Sequence, residues 1–268
     1  MIDNIRNNFF NLLYNELTNY YILKNDKRGL HRIKYSITYI LNIIIDKIIT
    51  GISWRHVALL KTNIQNTNYS VIYYMYAKMV KNNIIFNAYN NLLKTYCIKI
   101  DNSCAYIDST YIINKYGYKI HNKFNNYVMI KHKTSKLSII SSKNGVPLGV
   151  SIGNSLEHDI KMVINTLPKH PAFNKLYGDK GYVSKQFKEQ LKNSTGIDII
   201  TCPKKNQKHI IINNIDKQAL KHRYVIEHLN NFIKQNKQIQ TRYIKRNDMF
   251  LGYIYCIFIK RSLEIFNK

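Results

Sequence analysis

Ala105-Tyr106-Ile107-Asp108-Ser109-Thr110-Tyr111-Ile112-Ile113 is where the chain changes its period, and the reading of the fold turns on it. Isoleucine, tyrosine and threonine suit a pleated surface, so residues 105–113 are predicted to form a strand. Upstream, apolar side chains recur every three or four positions: Leu12, Leu13, Leu17 and Tyr20, then Ile33, Ile37, Ile40, Leu41, Ile44, Ile45 and Ile48. That spacing predicts helices. Gly51 breaks the pattern, Ser53 is placed to cap a short helix through Leu60, and further helices are predicted over 69–80 and 86–96. A helix, a turn at 51–53 and two more helices fit a helix-turn-helix DNA reader and a small bundle equally well.

Downstream of residue 113 the sequence alternates. Strands are predicted over 137–141 and 146–152, joined by a turn at Lys143-Asn144-Gly145. A helix over 158–167 is closed by Pro168 and Pro171; a strand over 173–177, a helix over 184–191, a strand over 197–201 and a helix over 216–238 follow. Strand, strand, strand, helix, strand, helix, strand, helix is the order of a mixed sheet covered by helices. The expected architecture is therefore α/β, with an all-α region at 1–97 and a sheet domain at 98–268.

The 268 residues carry 41 Lys and Arg against 15 Asp and Glu, a net charge of +26. An extended polyanion would be drawn to such a surface, with affinity falling steeply as salt rises, which makes nucleic acid the leading partner. Four cysteines, Cys97, Cys104, Cys202 and Cys256, form no close pair, so neither zinc nor a disulfide framework is signalled, and they read as reduced packing residues. Residues 1–11 do not read as a secretory signal. The apolar stretches 37–49 and 250–259 are too short or too interrupted to span a bilayer. No GxxxxGK[ST] phosphate loop occurs, which argues against an ATP-driven motor. The expected setting is intracellular, associated with DNA and not with a membrane.

In a chain so poor in acids, carboxylates at strand ends stand out. Asp108 follows an apolar run, Asp179 ends another in Tyr177-Gly178-Asp179-Lys180-Gly181-Tyr182, and Glu227 sits in a helical pattern in Arg223-Tyr224-Val225-Ile226-Glu227-His228. Convergence of the three would give hard oxygen ligands suited to two Mg²⁺ or Mn²⁺ ions. Arg223 and Lys234, four before and seven after Glu227, would share its stripe on one continuous helix.

Ile107-Asp108-Ser109-Thr110, Gly145-Val146-Pro147 followed by His158-Asp159, Gly178-Asp179-Lys180-Gly181-Tyr182 and Arg223-x3-Glu227-x6-Lys234 resemble, in that order, the DDE transposases of insertion sequences, and more narrowly insertion-sequence family five. Gly51-Ile52-Ser53-Trp54-Arg55 is similar to the N-terminal region of that branch. The resemblance implies a ribonuclease-H-like catalytic domain with Asp108, Asp179 and Glu227 as a metal-binding catalytic triad. It implies DNA contacts from Arg223 and Lys234, to which Arg55, Lys204 and Lys205 are added as candidate phosphate contacts. The implied partners are double-stranded DNA, as terminal inverted repeats and as target, and a second copy of the chain in the DNA complex. The helix signature opens with Tyr in these families and with Leu220 here.

Each motif alone has a plainer reading. Asp108 would be a solvated strand end, Gly178 to Gly181 an ordinary turn, and Arg223, Glu227 and Lys234 a solvated helix face. His158-Asp159 reads as a helix start, and Trp54 as a core anchor. Two other functions share the residues: a nuclease or resolvase that cuts without joining, and a transposase-derived protein that binds DNA without catalysis.

Overall fold

The computed structural model describes residues 2–24, 35–60, 68–115, 134–203 and 212–267. Their contacts divide the chain into two units, one of Met1–Cys97, Asn236–Gln238 and Ile244–Lys268, the other of Ile98–Gln235 and Ile239–Tyr243.

The first unit is helical. Helix α1 (Ile2–Leu23) buries Ile5, Phe9, Leu13, Leu17 and Tyr21, one side chain per turn. Helix α2 (Ile37–Thr50) is capped by Ser36, whose Oγ accepts from Tyr39 N at 3.2 Å, and ends at Gly51, whose φ of 69° needs a residue without Cβ. Ser53 caps α3 (Trp54–Leu60) as its sequence predicts, accepting from His56 N at 3.2 Å. Two more helices, α4 (Tyr69–Lys81) and α5 (Ile84–Thr95), follow. Trp54 packs on Tyr76 with ring centroids 5.1 Å apart, the anchoring role expected of it.

In the second unit β1 (Ala105–Asn114), β2 (Thr134–Ser142) and β3 (Pro147–Asn154) form an antiparallel meander. Gly145, at φ 83°, closes the turn between β2 and β3. After α6 (Asp159–Thr166) the chain lays β4 (Lys175–Gly178) parallel to β1, crosses through α7 (Lys185–Thr195), and adds β5 (Asp198–Thr201) parallel to β4. Helices α8 (Asn214–Lys221) and α9 (Tyr224–Gln235) and the short α10 (Lys237–Gln240) precede β6 (Thr241–Arg242), which pairs with the far end of β1. The order β3-β2-β1-β4-β5, three antiparallel strands extended by two parallel ones, is the ribonuclease-H-like sheet. One face is a dry core of Ala105, Ile107, Ile140, Leu176 and Ile199 against Val163 of α6 and Leu191 of α7.

The structure departs from the sequence reading at three points. The single helix expected over 216–238 is interrupted at His222-Arg223, where Val225 N and Ile226 N bond three residues back to His222 and Arg223. Arg223 therefore lies in the turn that opens α9, four residues before Glu227 and within 3.7 Å of its carboxylate. The last helix, α11 (Asn247–Phe266), belongs with the first unit, so the compact units do not follow a single cut after residue 97. Among the cysteines, Cys104 and Cys256 are buried as packing residues, but Cys97 is exposed. No helix among the described residues is long and apolar enough to cross a membrane.

Candidate active site

Register brings the first two carboxylates together. Ala105 pairs with Leu176 and Tyr106 with Tyr177 across parallel strands β1 and β4. Continued by two residues, that register sets Asp179 beside Asp108. The Tyr106 and Tyr177 rings lie 5.9 Å apart, so these residues share a face of the sheet, and by the two-residue pleat Asp108 and Asp179 share it too.

The Gly178-Asp179-Lys180-Gly181-Tyr182 loop is built around Asp179. Asp179 Oδ1 accepts from Gly181 N at 2.8 Å and caps the 3-10 turn Lys180–Tyr182, leaving its second oxygen uncommitted to that turn. A Cβ on Gly178 would stand 2.8 Å from the Tyr182 ring, so only glycine lets that ring close over the backbone. A Cβ on Gly181 would stand 2.9 Å from Asp159 Oδ2 and 3.0 Å from Asp179 Oδ1, which places the Asp159 carboxylate next to that of Asp179. Tyr182 shares a hydrogen bond of 3.0 Å with Ser109 Oγ, tying the loop to the strand that carries Asp108. Asp159 is in turn ion-paired at 3.0 Å with Lys136, a buried side chain of β2 that also donates to the Glu157 carbonyl. His158 and Asp159 open α6, as the sequence suggests, and Asp159 does so while facing Asp179.

Asp108 is the carboxylate that the protein treats most harshly. Burial pushes it up to about 6 and nearby Asp179 adds to the rise, while the Ser109 N–H, the Arg223 guanidinium and Asn230 oppose it. Its cross-strand partner on β2 is Ile139, whose side chain has no group to hydrogen-bond a carboxylate. Asn230 Nδ2 donates to Asp108 Oδ2 at 2.8 Å. Lys234 is near enough for Asp108 to raise its affinity for a proton, although burial lowers it by more.

Glu227 is held differently. Its carboxylate is more than half exposed and lies 3.7 Å from Arg223 Nη2. Arg223 thus acts on both acids, through the ion pair with Glu227 and through its field on Asp108, and its Nε is buried without a hydrogen-bond partner. Among the described residues no group of three or more His, Cys, Asp and Glu is drawn together as a metal site. The donor set that faces inward is nevertheless one of hard oxygens, and a cation would relieve the two adjacent carboxylates. Arg55 lies in the first unit, exposed, with its guanidinium 5.2 Å from the Tyr69 ring centroid. Lys204 and Lys205 lie outside the described residues. Leu220, in the signature position usually held by Tyr, is on α8, and exposed Tyr224 packs edge-on against His222 and His228.

A ribonuclease-H-like sheet, with one carboxylate on its first strand and another directly after its fourth, defines the class of fold. The chain is narrower than that: residues 101–246, more than half of it, match the family described as "Transposase DDE domain", and the protein belongs to that family. No curated protein matches it. A solved structure that resembles it is the "Crystal structure of the Mos1 Strand Transfer Complex", at 11% identity and a TM-score of 0.31. The match covers 72% of this chain and 60% of that one, so this chain spans under two thirds of its relative's length.

Proposed function

We propose that the protein is a DNA transposase that cuts the ends of a mobile element and joins the freed 3′-hydroxyl to target DNA, with Asp108, Asp179 and Glu227 as its catalytic carboxylates. The proximity of Asp108 on β1 and Asp179 at the end of the parallel strand β4 carries the reading. Two divalent ions, Mg²⁺ or Mn²⁺, supply when bound the charge neutralisation and the acidified water that in-line phosphoryl transfer needs. Asp108, Asp179 and Glu227 would hold them, Glu227 giving up its Arg223 contact to do so. Released from Glu227, the planar Arg223 fork grips a phosphate beside the scissile bond, and Lys234 a second one. Arg55, Lys204 and Lys205 add contacts to the DNA backbone. The helical region at 1–97 recognises the terminal inverted repeats, and two copies of the chain act on paired ends. Narrower membership of insertion-sequence family five rests on the motifs quoted above.

Asp179→Asn in the full chain tests this. Cleavage of terminal-repeat DNA is expected to fall at least about a hundredfold while DNA affinity holds, because the basic surface is unchanged. Undiminished cleavage by the purified variant rejects the assignment, and cutting without joining by the wild type makes the protein a nuclease.

A further inference from the structure

We infer that Asn230 is a positioning residue that fixes the Asp108 carboxylate and offers its own carbonyl oxygen to the water shell of a bound divalent ion. The inference rests on the reading of Asp108 and Asp179 as metal-binding carboxylates. Asn230 stands on α9 one turn beyond Glu227, is 5% exposed, and spends its amide N–H₂ on Asp108 Oδ2. That bond and the Ser109 N–H lock the orientation of the carboxylate, so its remaining lone pairs point where the site needs them. The amide cannot be turned around without setting its oxygen against an ionised Asp108.

The second half of the side chain is what a purely structural asparagine would not leave open. Asn230 Oδ1 is buried and receives no hydrogen bond from the described residues. The cations in reach of Asp108, Arg223 and Lys234, give it none. A buried carbonyl oxygen without a donor among the described residues, on a side chain bound to the Asp108 carboxylate, is an acceptor suited to the water on a hard cation.

The test uses the full-length protein without DNA, with Mn²⁺ binding followed by titration calorimetry and by the loss of free Mn²⁺ signal in electron paramagnetic resonance. Asn230→Ala is expected to weaken Mn²⁺ binding about tenfold or more and to raise by a similar factor the Mg²⁺ concentration that half-saturates DNA cleavage. Its maximal rate at saturating Mg²⁺ should be reduced much less. Asn230→Asp keeps the shape and the inward oxygen while losing the donor, so it should bind Mn²⁺ at least as tightly as wild type yet cleave more slowly, its Asp108 no longer fixed. It also keeps the question decidable if the alanine variant does not fold. Unchanged Mn²⁺ affinity in Asn230→Ala, with binding abolished in Asp108→Asn, would overturn the inference and leave the metal reading standing. Absence of Mn²⁺ binding by the wild type itself would overturn both.

Discussion

At the scale of single residues, the site is a place where stability has been given up. Asp108 has an ordinary value of 3.8 and is pushed up to about 6, chiefly by burial. The folded state therefore holds that proton more tightly than the unfolded state does. Below about pH 4 both states are protonated and nothing is lost; between 4 and 6 stability falls as pH rises; above 6 the full cost remains, on the order of 1–3 kcal/mol. Asp108→Asn removes the ionisation, so in metal-free buffer it should melt several degrees above wild type at pH 8, and the gain should vanish near pH 4. Mg²⁺ should raise the melting temperature of the wild type and not of the variant. Melting curves from pH 4 to 8 decide it, and a variant less stable than wild type at pH 8 contradicts the account. Asp108 and Asp179 were legible in the sequence because each interrupts or ends an apolar run in an acid-poor chain. Asn230 was not: asparagine is common throughout this chain, and only its place three residues after Glu227 on one helix hinted at a role. Nor was the partnership of Asp159 with Lys136, which lie 23 positions apart with no periodicity to link them.

At the scale of elements, periodicity found β1 to β5 and most helices but not the two-residue β6, and the break between α8 and α9 left no local trace. Neither Gly nor Pro marks His222-Arg223. Tertiary anchors separate the two helices: Asp216 of α8 accepts from Tyr177 at 2.6 Å and from Lys175 at 3.0 Å on β4, whereas α9 is tied to β1 through Asn230 and Asp108. Such long-range bonds override a continuous helical pattern. The loop after β4 was legible as a turn, but its reason lies in space and not in turn propensity. Both glycines are there for room: Gly178 admits the Tyr182 ring and Gly181 admits two carboxylates. Gly181 needs no unusual φ, so the effect of Gly181→Ala isolates that second crowding. The added methyl must displace Asp159, Asp179 or both by a few tenths of an ångström. Cleavage should fall about tenfold or more for a stability loss of only ~1–2 kcal/mol, since small overpacking is tolerated by the fold better than by a site that depends on carboxylate placement. Rates measured beside melting temperatures separate the two effects, and a variant with wild-type cleavage would mean that the Asp159 contact does not position Asp179.

At the scale of the whole molecule, the chain returns at its end to complete the unit with which it began. The sequence marks residues 250–259 as an apolar stretch too short to span a bilayer but does not say what covers them. Helix α11 packs with α1, α2, α4 and α5: Tyr76 donates to the Met249 carbonyl at 2.6 Å, Gly252 passes so close to Val80 that a Cβ would stand 2.5 Å from it, and Phe266 stacks on Tyr96 at 4.7 Å. Phe250, Ile254, Phe258, Ile259 and Leu263 of α11 are essentially inaccessible to water. Burying side chains of this size contributes about 1.5–3 kcal/mol each, so removing the helix forfeits an amount comparable to the ~5–15 kcal/mol net stability of a whole domain. A fragment of residues 1–97 therefore lacks part of its own core. Its far-ultraviolet circular dichroism should show much less helix than the described helices α1 to α5 would give, without a cooperative melt, and it should bind DNA by charge alone, terminal repeat and random sequence alike. Fusing residues 244–268 to it through a flexible linker should restore the cooperative melt. If residues 1–97 recognise the ends of the element, that fusion and not the bare fragment should prefer terminal-repeat DNA at physiological salt. A cooperative melt from residues 1–97 alone would show that α11 is dispensable to the helical unit. A folded fusion that binds both DNAs equally would instead move end recognition to the sheet-bearing unit.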